Sequence, residues 1–280
     1  MIWKIRGRDH DLSRRGWIMG VLNVTPDSFS DGGAFPTHGA AICHGLRMVS
    51  EGADVLGIGG ESTRPGASPV PADEEIARVL PVLKGLREAG GDFLISIDTS
   101  KAVVAEAALA EGADIINDVT GFRGDDRMAE VVARRRAGVV CMHMQGTPET
   151  MQVSPHYEDV VAEVGEFFRQ AIIRAVGCGI DPMSIAIDPG IGFGKTLEHN
   201  RQLLRGLAAF TAQDRPLLIG LSRKSFLGWV SGSQRIEDRF WPGVALTSFC
   251  RERGARIFRV HDVSPHREAL RMTEAILGDA

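Results

Sequence analysis

The clearest candidates for chemistry in this sequence follow a short apolar segment in the second half of the chain. Ile185–Ile187 run into Asp188, and a glycine-rich turn then leads to Lys195 and Thr196. An apolar strand that ends in a polar residue is typical of parallel sheets covered by helices, where ligands bind beyond the carboxyl ends of the strands. The turn lacks the first glycine of a phosphate-binding loop, because Pro189 stands there, and it is not a G-x-G-x-x-G sequence either. Asp188 is therefore a candidate ligand-binding acid.

Hydrogen-bond acceptors follow two other apolar segments in the same way. Asp98 comes after Phe93–Ile97, and Asn117 comes after Ile115–Ile116. If these segments are parallel strands, Asp98, Asn117 and Asp188 face one centre and suit a flat heterocycle with amino, ring N–H and carbonyl groups. A buried carboxylate is costly unless it is paired, so we expect a donor-rich ligand or a nearby cation, for which Lys224 is the candidate.

Basic side chains at the ends of other segments have the opposite chemistry. Arg64, Arg259 and His261 offer forked donors and a titratable ring, which suit a phosphate or diphosphate group. Asn23 follows the first long apolar segment and is a candidate for a direct or water-bridged contact to Mg²⁺. Together they predict a magnesium-associated diphosphate beside the heterocycle.

Several of these residues also have other interpretations. Asp98 precedes a helix-like segment and is a candidate N-cap, and Asn117 is a candidate turn former. Ser222, His261 and Asp262 suggest a hydrolase triad, but the G-x-S-x-G sequence that would expose such a serine is missing. The joint pattern of acceptors and cations favours a heterocycle and diphosphate site over these readings.

The elements that must position these residues alternate regularly along the chain. Eight strand-like segments alternate with eight helix-like segments, which favours one (β/α)8 barrel, an α/β fold, in a single domain over residues 1–280. Gly52, Gly112 and Gly254 follow predicted helices and mark the turns at the opposite end of the barrel. The predicted strands are Ile18–Val24, Val55–Ile58, Phe93–Ile97, Ile115–Ile116, Val139–Met142, Ile185–Ile187, Leu217–Gly220 and Ile257–Val260. The predicted helices are Gly39–Glu51, Ala72–Ala89, Ala102–Glu111, Arg127–Arg136, Tyr157–Val176, Leu197–Phe210, Glu237–Arg253 and His266–Leu277.

Composition excludes several classes of protein. The formal net charge of −4 argues against a general nucleic-acid surface, and the apolar segments are too short to span a membrane. The charged start, MIWKIRGRDH, is unlike a secretory signal, so we expect a cytoplasmic protein. The four cysteines are widely spaced, which predicts reduced thiols and no zinc site.

Eight sequence segments, in order along nearly the whole chain, resemble those of the dihydropteroate synthase family. The resemblance implies a pterin-binding TIM barrel, a homodimer and Mg²⁺. It also implies that 6-hydroxymethyl-7,8-dihydropterin diphosphate reacts with 4-aminobenzoate to give 7,8-dihydropteroate and diphosphate. The segments are MGVLNVTPDSFSDGG (19–33), GGESTRPGA (59–67), SIDTSK (96–101), INDVTG (116–121), MHMQGTPETMQ (142–152), DPGIGFGKT (188–196), SRKSFLG (222–228) and RVHDV (259–263).

The resemblance implies a role for each matching residue. Pterin contacts fall on Asp98, Asn117, Asp188 and Lys224. Diphosphate contacts fall on Asn23, Arg259 and His261, beside Arg64, and Mg²⁺ is associated with Asn23. An acid near the reacting carbon falls on Asp31, so the expected catalytic residues are Asp31, Lys224, Arg259 and His261. Expected aminobenzoate contacts, besides Lys224, are Thr25, Pro26, Phe29, Thr63, Arg64, Pro65, Phe193 and Ser222.

The sequence also departs from the family pattern. Gly57 stands where an aspartate is usual, Glu149 where a basic residue is frequent, and Trp241-Pro242 forms an unusual start to a helix near the expected dimer surface. The expected reaction is a dissociative substitution at the methylene carbon. Two alternatives are a methyltetrahydrofolate–corrinoid methyltransferase, which would not call for Arg64 or Arg259-x-His261, and a non-catalytic pterin-binding paralogue.

Overall fold

Eight parallel strands form a closed barrel in the computed structural model, which describes residues 1–25, 38–233 and 235–278. The last barrel strand pairs with the first, so that Ile257 lies opposite Trp17. This closure confirms the predicted α/β barrel. The barrel strands are β3 (Trp17–Asn23), β4 (Val55–Gly59), β5 (Leu94–Asp98), β6 (Ile115–Asp118), β7 (Gly138–Met142), β8 (Ile185–Asp188), β9 (Leu217–Gly220) and β10 (Ala255–Val260).

Helices follow the barrel strands and cover the outside of the barrel. Some helices differ from the predicted bounds. The helix α5, for example, begins only at Val160, because the Asp159 carboxylate caps it by accepting hydrogen bonds from the N–H groups of Val161 and Ala162. The helices are α1 (His38–Ser50), α2 (Ala72–Glu88), α3 (Ala102–Ala110), α4 (Met128–Arg135), α5 (Val160–Gly177), α6 (Leu197–Arg205), α7 (Ser225–Ser231), α8 (Phe240–Glu252) and α9 (Val263–Leu277).

Two predicted helices are divided in the structure, and one helix is additional. The predicted helix over 197–210 ends at Arg205, and a 3-10 helix, Leu207–Gln213, follows Gly206. The predicted helix over 237–253 starts with a 3-10 turn, Glu237–Arg239, before α8. The sequence pattern did not predict α7, whose seven residues are too few to show a helical period.

The glycines predicted to mark the helix-to-strand turns have the required conformation. Gly52, Gly112 and Gly254 have φ angles of 103°, 100° and 96°, in the region that only glycine adopts readily. Asp54 and Asp114, two residues after the first two of these glycines, each accept a backbone N–H from a neighbouring strand and an arginine side chain. Because these turns lie where the strands begin, the strands end at the opposite rim of the barrel.

An antiparallel hairpin, β1 (Ile2–Ile5) and β2 (Arg8–Asp11), closes the amino-terminal end of the barrel. The sequence pattern did not predict this hairpin. Trp3, Ile5 and Leu12 are buried among side chains from inside the barrel, and the Trp3 indole N–H donates to the Ser184 carbonyl oxygen at 2.9 Å. The amino-terminal end is therefore filled, and a ligand has access only from the carboxyl ends of the strands.

Two further observations concern the predicted environment of the protein. Within the described residues, none of the helices combines the length and apolar character that a membrane crossing needs. Cys43, Cys141, Cys178 and Cys250 are all free thiols.

The buried hairpin predicts a specific effect on stability. Replacing Ile5, which is 1% exposed, with alanine should lower the free energy of unfolding by about 2–5 kcal/mol, since it leaves a cavity under the barrel. Ile173→Ala on α5, where the side chain is 56% exposed, should change it by less than about 0.5 kcal/mol. Urea unfolding followed by circular dichroism measures both, and equal effects would show that the hairpin does not support the barrel.

Candidate active site at the carboxyl ends of the barrel strands

Asp98, at the end of β5, is the centre of a charged network that crosses the mouth of the barrel. The Asn117 side-chain amide on β6 donates to Asp98 Oδ1 at 2.8 Å, and the Arg259 guanidinium on β10 donates to Asp98 Oδ2. The cation that pairs with Asp98 is thus Arg259 rather than Lys224. Asp98 is not an N-cap, because α3 begins after Lys101.

Two atoms of this network are buried and have no partner among the described residues. They are Asn117 Oδ1, an acceptor, and Arg259 Nε, a donor. The Asn23 side chain lies close to the same network, since a β-carbon at Gly59 would be 3.4 Å from both Asn23 Oδ1 and Asp98 Oδ2. Buried polar atoms without a protein partner are groups that a polar ligand would satisfy.

Asp188, at the end of β8, faces the same opening with a different environment. Its Oδ1 accepts the Gly190 N–H at 2.7 Å, and the side chain is 5% exposed. Burial raises the pKa of this carboxyl, while the Gly190 hydrogen bond and the charges of Lys224, Lys195 and Arg259 oppose the rise. Burial in turn lowers the pKa of Lys224. The buried acid beside which Lys224 was predicted to lie is therefore Asp188.

Phe193 and Lys224 form one wall of the opening. The Lys224 ammonium lies 3.9 Å from the centre of the Phe193 ring, a cation–π contact. Phe193 packs on Val119, Met142, Met144 and Met151. An apolar ring surface beside a cation suits an aromatic ligand that carries a negative charge.

His261 and Ser222 lie at the ends of β10 and β9 and contact each other. The Ser222 hydroxyl oxygen is 3.0 Å from His261 Nδ1 and also accepts the His261 backbone N–H at 3.2 Å. Asp262 pairs with Arg223 instead of His261, so the hydrolase triad is not assembled. Burial, followed by the charges of Arg223, Arg259, Lys224 and Arg64, lowers the pKa of His261 to about 3.

The segment after β4, which carries Thr63, Arg64 and Pro65, is tied to the rim at two points. The Gly66 N–H donates to the Pro148 carbonyl oxygen at 3.0 Å, in the segment after β7. Glu61 Oε2 accepts the Val70 N–H and the Lys101 ammonium, both at 2.7 Å. Arg64 is exposed, and its charge acts on His261 across the opening.

The structure places the remaining predicted residues as follows. Thr25 is buried just after β3. Pro26, Phe29 and Asp31, predicted to contact the aminobenzoate or the reacting carbon, lie outside the described residues. Asp98, Asn117, Asp188, Lys224, Arg259 and His261 are brought to one end of the barrel by β5, β6, β8, β9 and β10.

Sequence reasoning gave no role to two buried residues beside Asp188. In the sequence, Lys195 follows a turn that does not match a phosphate-binding loop, and His143 follows a predicted strand and has no predicted partner. The Lys195 ammonium lies 3.1 Å from His143 Nδ1. The available signal was a lysine one residue after the turn that follows Asp188.

Gly57 lies one layer below the opening, in register with Ser96 of β5. A β-carbon at Gly57 would make ordinary 3.5 Å contacts with Met19 and the Gly20 carbonyl oxygen. Ser96 Oγ is buried without a partner among the described residues. A β-carbon at position 57 would thus fit without displacing its neighbours.

Comparisons with known proteins agree with this geometry. Residues 19–261 match the family of pterin binding enzymes. The chain is 46% identical to dihydropteroate synthase of Neisseria meningitidis serogroup C over 263 residues, covering 92% of each chain. It is 43% identical to that of Escherichia coli K12 over 275 residues, covering 97% of this chain and 95% of the relative.

Solved structures give the same result. Yersinia pestis dihydropteroate synthase with a sulfonamide drug complex has a TM-score of 0.92 at 43% identity and covers 99% of this chain and 100% of its own. The Xanthomonas albilineans enzyme with 4-aminobenzoic acid has a TM-score of 0.91 at 45% identity, covering 99% and 98%. The same enzyme in complex with 7,8-dihydropteroate has a TM-score of 0.88 at 42% identity, covering 99% of each chain. The chain therefore belongs to the pterin-binding enzyme family and, within it, to the dihydropteroate synthases.

Proposed function

We propose that this protein condenses (7,8-dihydropterin-6-yl)methyl diphosphate with 4-aminobenzoate, giving 7,8-dihydropteroate and diphosphate, in a single barrel domain over residues 1–280. The observation that carries the proposal is the convergence of Asp98, Asn117 and Asp188 with Arg259 and His261 at one rim. The Xanthomonas relative is known in complex with 4-aminobenzoic acid and with 7,8-dihydropteroate, which are the second substrate and the product.

Pterin recognition is assigned to Asp98, Asn117, Asp188 and Lys224. Asp188 would accept N–H groups of the ring, and Asn117 Oδ1 offers a buried acceptor that lacks a protein partner among the described residues. Lys224 would donate to a ring carbonyl oxygen or nitrogen. A ligand rich in N–H donors also offsets the burial of Asp188, because hydrogen bonds to a carboxylate favour its charged form.

Diphosphate recognition is assigned to Asn23, Arg64, Arg259 and His261. In the free protein burial, and after it the surrounding cations, keep the pKa of His261 low. A bound diphosphate would offset the charges of those cations and raise the pKa of His261, which favours a protonated ring as a second charged donor. Arg259 would use its unpartnered Nε for the same group.

The aminobenzoate site is assigned to Thr25, Thr63, Pro65, Phe193 and Ser222, with Arg64 and with Pro26 and Phe29, which lie outside the described residues. The Phe193 ring would contact the aromatic ring of the substrate. The Ser222 hydroxyl and the nearby cations suit its carboxylate.

Magnesium fits this site only as a partner of the diphosphate. In residues 1–25, 38–233 and 235–278, no three His, Cys, Asp or Glu side chains are grouped to hold a metal ion. Asn23 Oδ1 lies near Asp98 Oδ2, since a β-carbon at Gly59 would be 3.4 Å from both atoms, and Mg²⁺ commonly uses few protein ligands together with substrate phosphates. When bound, the ion would neutralise charge on the diphosphate, with Asn23 as its protein contact.

The proposed reaction is a dissociative substitution. The bond between the methylene carbon and the diphosphate oxygen breaks, its electron pair leaves with the diphosphate, and the pterin ring delocalises the positive charge. Arg259 and protonated His261 stabilise the leaving group, while Lys224 orients the ring and Asp31 and Asp188 favour the cation. The lone pair of the arylamine nitrogen then forms the new bond, and the nitrogen loses a proton.

A homodimer in the cytoplasm is the proposed state of the enzyme. The outer surface of the last helices has several exposed apolar side chains, which mark interaction surfaces when they are grouped. Met272 and Ile276 on α9 are 65% and 78% exposed and lie four residues apart, so they share one face of that helix. Trp241, which is 70% exposed, is at the start of α8, and α8 packs against α9. We assign the dimer contact to this surface.

The activity is tested by diphosphate release. Release should require both substrates, and Lys224→Met should lower kcat/KM by about 10- to 100-fold, because a charge-assisted hydrogen bond is lost. Lys84→Met, at an exposed ion pair on α2, should match the wild type. If the wild type transfers a methyl group from methyltetrahydrofolate to a corrinoid, or releases no diphosphate at all, one of the two alternatives replaces this proposal.

The order of bond breaking and bond making is tested by isotope exchange. With ¹⁸O in the bridging position of the pterin diphosphate and no aminobenzoate, the label should move to non-bridging positions, because the cation and diphosphate form and recombine on the enzyme. Mass spectrometry or ³¹P NMR detects the movement. An enzyme that is active but never scrambles the label would have a concerted reaction instead.

The proposed dimer surface is tested with two isoleucines of similar exposure. Ile276→Asp should shift the protein towards monomer in sedimentation velocity, since it buries a charge at the contact. Ile173→Asp on α5, at a side chain that is 56% exposed, should leave the sedimentation coefficient unchanged. A wild type that is monomeric at micromolar concentration contradicts the proposal directly.

A further inference from the structure

A buried lysine beside the active site has no part in the mechanism above. Lys195 follows the turn Pro189–Gly194 and is only 3% exposed. Its ammonium donates to the Phe193 carbonyl oxygen at 2.9 Å, and it lies 3.1 Å from His143 Nδ1 and 3.4 Å from the His143 carbonyl oxygen. Burial of a lysine is costly, so this arrangement calls for an explanation.

Hydrogen-bond acceptors surround the Lys195 ammonium. Burial, followed by the charges of Lys195 and Arg123, lowers the pKa of His143 to about 2, so its ring is neutral and Nδ1 can accept a hydrogen bond. The ring is fixed by edge contacts with Phe167 and lies near Tyr157. Lys195 thus has an imidazole nitrogen and two backbone carbonyl oxygens as acceptors.

The same contacts fix the turn after β8 against the end of β7. The His143 N–H donates to the Asp188 carbonyl oxygen at 2.9 Å. A side chain at Gly190 would collide with the His143 carbonyl oxygen, and one at Gly194 with the Gln145 backbone. The two backbone segments are therefore in close contact, and Lys195 joins them through His143 and Phe193.

This junction lies directly behind two elements of the ligand pocket. Phe193 supplies both the carbonyl group that Lys195 holds and the ring that faces Lys224. Asp188 lies at the other end of the turn: its Oδ1 accepts the Gly190 N–H at 2.7 Å, and a β-carbon on Gly190 would lie 3.5 Å from the Lys195 ammonium. A change at Lys195 would reach the pocket through the Phe193 backbone and through the charge that Asp188 experiences.

We propose that Lys195 is a positioning residue of the pterin pocket: it fixes the turn that carries Phe193 and places a positive charge beside the Gly190 backbone that holds the Asp188 carboxylate. The proposal rests on the proposed function, because it assigns Asp188 to the pterin ring. Lys195 itself touches neither substrate in this assignment. His143 acts with it as a neutral acceptor.

The charge of Lys195 has a defined effect on the pH dependence of binding. The cations that act on Asp188 are Lys224, Lys195 and Arg259. Burial, aided by the charges of Lys224 and Arg123 and opposed by Asp188, lowers the pKa of Lys195 itself to about 7, so Lys195 carries its charge at the acidic pH values where Asp188 gains a proton. Each cation favours the carboxylate form and so lowers the pKa of Asp188. Removing Lys195 should raise the pKa of Asp188, so that the carboxylate gains its proton at a higher pH. Because the pterin binds the carboxylate form, acidification should then abolish pterin binding at a higher pH than in the wild type. An opposite charge at this range shifts a pKa by about 1 unit or more.

The experiment compares pterin binding by the full chain and its variants. Affinity for 6-hydroxymethylpterin is measured by fluorescence from pH 4.5 to 7.5. We call the pH range in which affinity is lost on acidification the acid limb of the profile. In Lys195→Met, the acid limb should move to a pH about 1 unit higher, because the positive charge is lost. At pH values above the limb, the affinity should fall roughly tenfold, because the hydrogen bonds that fix the turn are lost. Lys195→Gln, which keeps a donor, should show the same shift of the limb with a smaller loss above it.

Two other variants separate charge from structure. Lys195→Arg, which keeps the charge, should retain the acid limb of the wild type, and Lys84→Met should match the wild type throughout. Circular dichroism at each pH identifies folded samples, and Lys195→Gln decides the outcome if Lys195→Met does not fold.

The outcomes distinguish this inference from the proposed function. An unmoved limb in folded Lys195→Met and Lys195→Gln, or an equal shift in Lys195→Arg, would overturn the role of Lys195 alone. A wild type that does not bind the pterin would instead overturn the proposed function.

Discussion

The constraint on which this structure depends is that the interior of the barrel is a packed apolar core that leaves polar groups to its carboxyl-terminal end. Trp3, Ile5 and Leu12 fill the amino-terminal end with apolar side chains. The charged groups described for the candidate site lie at the carboxyl ends of the strands, opposite this apolar layer. The ion pair between Asp98 and Arg259 crosses that end, and Arg259 Nε is buried without a partner among the described residues.

The buried titratable groups at this end of the barrel lie in two different electrostatic environments. Around Asp188, burial opposes ionisation and the neighbouring cations favour it. Around His261, burial and the cations both oppose protonation. A substrate with N–H donors at one end and a diphosphate at the other satisfies both environments at once, which neither a neutral heterocycle nor free phosphate would do. This complementarity explains why two acids and several cations can share one small pocket.

Much of this arrangement could be predicted from the sequence, because it depends on spacing. Strict alternation of strands and helices predicted the barrel, and the glycines at 52, 112 and 254 predicted its phase; both are confirmed. The family resemblance is confirmed as well. The roles of individual residues, including Asp31, stay predictions. What spacing could not predict depends on contacts across the chain: the hairpin at the closed end, the choice of Arg259 as the partner of Asp98, and the burial of Lys195 against His143.

The pairing of β10 with β3 has a consequence for how the chain is made. Residues 255–260 lie beside residues 17–23, so the first barrel strand has an unpaired edge until almost the entire polypeptide has left the ribosome. An exposed strand edge on a nascent chain invites pairing with other molecules. Loss of the C-terminal segment in a truncated product would leave that edge open permanently, and such a product should be a substrate for chaperones and proteases rather than a partly active enzyme.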